Sequence, residues 1–87
     1  MNYAIEVSRL ALKSMAKIPR KELIRIQERI DDLSKTPKPS DVKKIQGDSN
    51  LYRIRLGNYR VLYRIFEEKI CILIVDVNHR KDIYKNM

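Results

Sequence analysis

The stretch Leu51-Tyr52-Arg53-Ile54-Arg55-Leu56-Gly57-Asn58-Tyr59-Arg60-Val61-Leu62-Tyr63-Arg64-Ile65 decides the fold. Two runs rich in β-branched and aromatic residues flank Gly57-Asn58, a pair that favours a two-residue hairpin turn. Such a turn fixes the register. Leu56 faces Tyr59, Ile54 faces Val61 and Tyr52 faces Tyr63 on one side, the predicted core face. The other side then receives Arg55 across from Arg60, Arg53 across from Leu62 and Leu51 across from Arg64. Four arginines share that surface. Like charges placed directly opposite on a sheet are destabilising, and a bound anion removes the conflict. Because arginine offers a rigid fork of donors matched to phosphate oxygens, the face reads as a phosphate-binding surface in preference to a merely solvated one.

Downstream, the apolar run from Ile70 to Val77 predicts a third strand, with Glu67-Glu68 as the candidate turn before it. Carrying the register through that turn places Cys71, Leu73, Val75, Val77 and His79 on the arginine side. His79 then emerges at the strand end beside the Gly57-Asn58 hairpin. In the following Arg80-Lys81-Asp82-Ile83-Tyr84, a helical turn would set Arg80 and Tyr84 on one side at i and i+4. By residue type alone His79, with an unperturbed pKa near ~6.5, is the candidate acid or base.

Upstream, Tyr3, Ile5 and Val7 alternate with smaller or polar residues and predict a first strand. Ser8 is positioned to cap a helix whose apolar face carries Ala11, Met15 and Ile18, and Pro19 ends it. From Arg20 to about Lys35, Leu23, Ile26, Ile30 and Leu33 recur at helical spacing, with Lys21, Arg25, Glu28, Arg29 and Asp32 outward. Ile24 falls off that stripe. Thr36-Pro37-Lys38-Pro39-Ser40-Asp41 cannot continue a helix and reads as a connection. The predicted fold is α+β: a small single domain over 1–87, with an N-terminal strand, a two-helix hairpin, a three-strand antiparallel meander and a short C-terminal segment.

Composition narrows the function. A chain of 87 residues, 44% hydrophobic, is expected to build one modest core and to carry a shallow surface site instead of an enclosed cofactor pocket, so no cofactor is predicted. Nineteen lysines and arginines against eleven acids leave a net charge of +8, which implies an anionic partner, nucleic acid first. No run approaches the ~18 apolar residues of a membrane span and no signal peptide opens the chain, so the expected location is the cytoplasm, without membrane binding. Cys71 is the single cysteine and reads as a core residue; with one histidine beside it, a four-ligand zinc site of the nitrogen and sulfur kind cannot be assembled, and no metal is expected.

The order Tyr52-Arg-Ile-Arg, Tyr59-Arg-Val-Leu-Tyr and Val77-Asn-His-Arg-Lys-Asp-Ile-Tyr84 resembles the RelE-type toxins of toxin-antitoxin systems. The specific motifs lie in the second half of the chain, while the element order is similar throughout. The resemblance implies a metal-independent endoribonuclease that enters the ribosomal A site, cuts messenger RNA and so inhibits translation. It also implies a cognate RelB-like antitoxin in an oligomeric complex. Residue by residue, the family's paired basic positions fall at Arg53 and Arg55, its third-strand arginine at Arg60, its arginine after the last strand at Arg80 and its C-terminal tyrosine at Tyr84. Arginine in place of lysine at both second-strand positions argues against either acting as a base, since arginine stays protonated. The implied roles are charge stabilisation by Arg53, Arg55 and Arg60, Tyr84 as base or stacking platform, and Arg80 near the leaving oxygen; Lys43, Lys44, Arg64 and Lys81 are the flanking RNA contacts. Two other functions fit a basic domain of this kind: a ParE-type inhibitor of DNA gyrase, and a catalytically inactive RNA-binding module.

Overall fold

The computed structural model describes residues 2–79. Strand β1 (Ala4–Val7) leads into helices α1 (Arg9–Ala16) and α2 (Arg20–Leu33); β2 (Lys43–Lys44), β3 (Leu51–Leu56), β4 (Tyr59–Phe66) and β5 (Cys71–His79) follow. The five strands form one sheet in the order β1-β5-β4-β3-β2, with β1 parallel to β5 and every other pair antiparallel. The α+β class and the hairpin-linked strands agree with expectation. The meander is extended on both sides: β1 joins its β5 edge, and the two-residue β2, for which the sequence predicts no element, follows the connection over 36–41 and joins its β3 edge.

Both predicted helical stripes face the sheet. Ala11 and Met15 of α1 and Ile26, Ile30 and Leu33 of α2 are buried against Tyr52, Ile54, Val61, Tyr63, Ile72, Ile74 and Val77. Ile24, off the stripe, is exposed. Ser8 explains where α1 starts. Its hydroxyl accepts from the Ala11 amide at 3.0 Å and donates to the Val75 carbonyl at 2.6 Å, so one side chain caps the helix and ties it to β5. Ser8→Ala is expected to cost about 1–2 kcal/mol, the range for losing such a cap. A thermal melt would show it as a drop of roughly 5–10 °C for a chain of this size. The loop after α2 is pinned by the buried Tyr63, whose hydroxyl donates to the Pro37 carbonyl at 2.7 Å, and by the ion pair of Arg29 with Asp41. Burial pushes the Tyr63 phenol well above its ordinary value, so it remains a neutral donor.

Two features of the last connection differ from the sequence expectation. Glu67-Glu68 is not a two-residue turn: Glu67–Lys69 form a single 3-10 turn and Ile70 follows at φ 50° before β5 begins. Within β5 the pairing with β4 also skips a residue, because Leu62 faces Asp76 while Tyr63 faces Ile74. Val75 is the extra residue of a β-bulge, and it reverses the alternation of everything after it. Cys71 and Leu73 pair with Phe66 and Arg64 on the arginine side as expected, but Val77 pairs with Val61 and His79 with Tyr59, on the helix side. The bulge is fastened from α1: besides the Ser8 bond, the Ser14 hydroxyl donates to Asp76 Oδ1 at 2.8 Å, and the Val77 amide donates to the same oxygen at 2.8 Å. Among the described residues, no helix is long and apolar enough to cross a membrane.

Candidate nucleic-acid interface

The β3–β4 register is the one the turn dictates. Arg55 faces Arg60, Arg53 faces Leu62 and Leu51 faces Arg64, while Leu56 with Tyr59, Ile54 with Val61 and Tyr52 with Tyr63 take the helix side. Gly57 sits at φ 57°, and Asn58 is not in the left-handed region, the pattern of a type II′ turn with glycine first. This turn matches the natural strand twist, so the hairpin holds its arginine pair in a defined place. Arg55 is exposed and Arg53 half-buried, whereas Arg60 is only 8% exposed, the one buried charged residue among those described. The field of a guanidinium at that depth is screened less than that of a side chain in open water.

The neighbours define the extent of the basic area. Lys43 on β2 faces Arg53 and adds a cation to the same side; Lys44 faces Tyr52 and falls on the other. Arg64 belongs to the face by register, but its guanidinium is drawn to the loop before β3, donating to Asp48 Oδ1 at 2.7 Å and Asn50 Oδ1 at 2.8 Å. Its first duty is therefore to hold that loop. The Arg64 contact lowers the Asp48 pKa from the usual carboxylate range. Stability from this pair is thus complete above the unfolded aspartate value near ~3.9 and is lost as pH falls through the lower folded value. Asp48→Asn should accordingly be less stable than wild type at pH 7, with the difference closing in denaturation curves taken below about pH 4.

On the β5 side the residue facing Arg60 is Asn78, which the sequence reading passed over. His79, predicted to stand beside the arginines, instead meets the Tyr59 ring edge to face, with centroids 5.2 Å apart, on the side of the helices. Arg80, Lys81 and Tyr84 lie outside the described residues. Burial, with Glu6 adding to it, raises the Cys71 thiol pKa, which fits a core residue better than a nucleophile. Among the described residues, no three His, Cys, Asp or Glu side chains group closely enough to hold a metal ion.

Residues 5–84 match the family described as the ParE toxin of type II toxin-antitoxin systems, parDE. The chain belongs to this RelE/ParE family of toxins. The toxin is 31% identical over 86 residues to toxin RelG of Mycobacterium tuberculosis, covering 98% of this chain and 99% of that one. It is similar in structure to the RelE of an archaeal RelE-RelB complex from Pyrococcus horikoshii OT3, with a TM-score of 0.81 and 32% identity over 92% of this chain and 97% of the other. A more distant relative, 23% identical over 93% of this chain and 86% of its own length, is the mRNA interferase toxin RelE of Escherichia coli.

As chemistry, the toxin's arginine face offers guanidinium donors and positive charge, and no carboxylate faces the Arg55-Arg60 pair in the register. Glu6 pairs with Leu73 on the β1 side, and Asp76, in the row of Arg53 and Leu62, has its carboxylate held by the Ser14 hydroxyl and the Val77 amide. The basic end is suited to oxygens that carry or gain negative charge.

Proposed function

We propose that this toxin is an endoribonuclease that cuts messenger RNA in the ribosomal A site, using its own side chains to stabilise the transferring phosphate. The observation that carries the reading is the grouping of Arg53, Arg55 and Arg60 on one sheet face, with Arg55 directly opposite the buried Arg60. The name of the Escherichia coli relative, an mRNA interferase, supports it. In the proposed reaction a ribose 2′-oxygen loses its proton and attacks the adjacent phosphorus. The bond from phosphorus to the 5′-oxygen breaks, that oxygen takes up a proton, and the products are a 2′,3′-cyclic phosphate and a free 5′-hydroxyl. Arg53, Arg55 and Arg60 stabilise the charge on the phosphoryl oxygens. Tyr84 is assigned as the base and Arg80 as the group beside the leaving oxygen. The pairing of His79 with Tyr59, on the helix side of the sheet, argues for Tyr84 over His79 in that role.

Lys43 and Lys81 are assigned to flanking RNA contacts, and an RNA strand is expected to follow the β2–β3 side, away from Glu6. A cognate RelB-like antitoxin is the partner this reading calls for, supported by the solved RelE-RelB complex of the archaeal relative, and the messenger on cytoplasmic ribosomes is the substrate. Primer extension on messenger RNA in a purified translating system tests the reading: cuts confined to the A-site codon are expected. An intact message with undisturbed translation would overturn it and turn attention to DNA supercoiling, the activity a gyrase inhibitor would block.

A further inference from the structure

The tip of the β3–β4 hairpin is hollowed on both sides. Arg55, Gly57, Asn58, Tyr59 and Arg60 line a shallow depression of about 30 Å³. On the helix side, a cleft of about 310 Å³ opens between α2 and the hairpin, lined by Glu22, Arg25, Leu56, Asn58, Tyr59 and His79 among others. Small-molecule sites begin near ~300 Å³, so the cleft is of a size for one flat ring system and little more. Gly57, Asn58 and Tyr59 border both hollows. A Cβ added at Gly57 would meet nothing within 4 Å, so the ridge between them is uncovered.

We infer that the cleft receives one nucleobase of the RNA strand whose neighbouring phosphate rests on Arg55 and Arg60. The identity of the ligand rests on the RNA-cutting reading above. Three observations point to a base. First, the cleft adjoins the cationic end of the sheet across a single turn, so adjacent parts of one strand can reach both. Second, Tyr59 and His79 contribute aromatic rings to its wall, and rings of this kind stack on any base. Third, Glu22 supplies an acceptor with no donor of its own, and Arg25, three residues along the same helix, supplies donors and offsets its charge. A carboxylate favours a base edge bearing an amino group, as adenine, cytosine and guanine have, over uracil, whose one ring N–H lies between two carbonyls. The bulge at Val75 is what brings His79 to this side, so the cleft gives that histidine a role in holding a base.

The test is equilibrium binding of a five-nucleotide single-stranded RNA that carries 2′-O-methyl groups throughout, which removes the nucleophile, with an abasic site moved along it. Wild-type protein is expected to lose about tenfold in affinity at one position, the size of a single base stacked on an aromatic side chain, and to prefer adenine over uracil there. In Tyr59→Leu and in Glu22→Ala the abasic penalty at that position should fall below about twofold, and Glu22→Ala should also erase the preference for adenine. Glu22 is half-buried in the first turn of α2 and outside the buried stripe of Ile26, Ile30 and Leu33, so its variant keeps the test valid if Tyr59→Leu loosens the core. The inference is overturned if the wild type tolerates the abasic site everywhere or does not bind, or if both variants keep the wild-type pattern. Because the RNA cannot be cut, the outcomes separate: a cleft-dependent base with no A-site cutting removes the nuclease reading alone, and A-site cutting without a cleft-dependent base removes the cleft alone.

Discussion

Arg60→Ala is expected to lower single-turnover cutting of a ribosome-bound message by about 100-fold, the usual loss when one fixed donor aimed at a developing negative charge is removed. Arg60 is the strongest candidate for this effect because it is the most buried of the described arginines and stands between Arg55 on β3 and Asn78 on β5. Arg60→Lys should fall between the two, since it keeps the charge and loses the fork. Circular dichroism and a melt on the same preparations separate lost chemistry from lost fold. Arg55→Ala offers a further control, because removing one of two facing cations should leave the protein at least as stable as wild type. Undiminished cutting by a folded Arg60→Ala protein would place the phosphate elsewhere.

The second large effect is on stability. Ile54 is 0% exposed in the middle of β3, with its side chain in the core and Arg53 and Arg55 on either side of it along the strand. Ile54→Ala should cost about 2–5 kcal/mol, the transfer of the lost methylenes plus the cavity they leave. Small domains of this kind hold only about 5–15 kcal/mol in total, so the urea midpoint should fall steeply with little change in slope. A loss under about 1 kcal/mol would mean that the core closes over the gap, and that the strand carrying the arginines is less rigidly supported than the packing implies.

Much of the interface was legible because a two-residue turn and a period of two leave the register no freedom. From Gly57-Asn58 alone the facing of Arg55 and Arg60 followed, and so did the core face of Tyr52, Ile54, Val61 and Tyr63. The far side of β4 was not legible in the same way. Ile70 occupies the left-handed region, where a β-branched residue is rare, so the link from β4 to β5 carries no turn signal. The bulge at Val75 depends on Ser8 and Ser14, more than sixty residues away in sequence. Tertiary contacts of that reach leave no periodic trace in the strand itself. For that reason the side taken by His79 was misread and Asn78 was overlooked. Lys43–Lys44 is likewise too short for alternation to show, and a neighbouring proline-rich stretch masks it.

That shortest strand has a consequence of its own. A sheet edge presents unpaired amides and carbonyls to which another chain can add, and on the β2 side the edge strand is two residues long, with both side chains exposed lysines. A second molecule seeking to continue the ladder would have to pair with so brief a segment and bring its charge against the two ammonium groups. Lys43, which enlarges the cationic surface, and Lys44 on the opposite side together guard this edge against edge-to-edge aggregation.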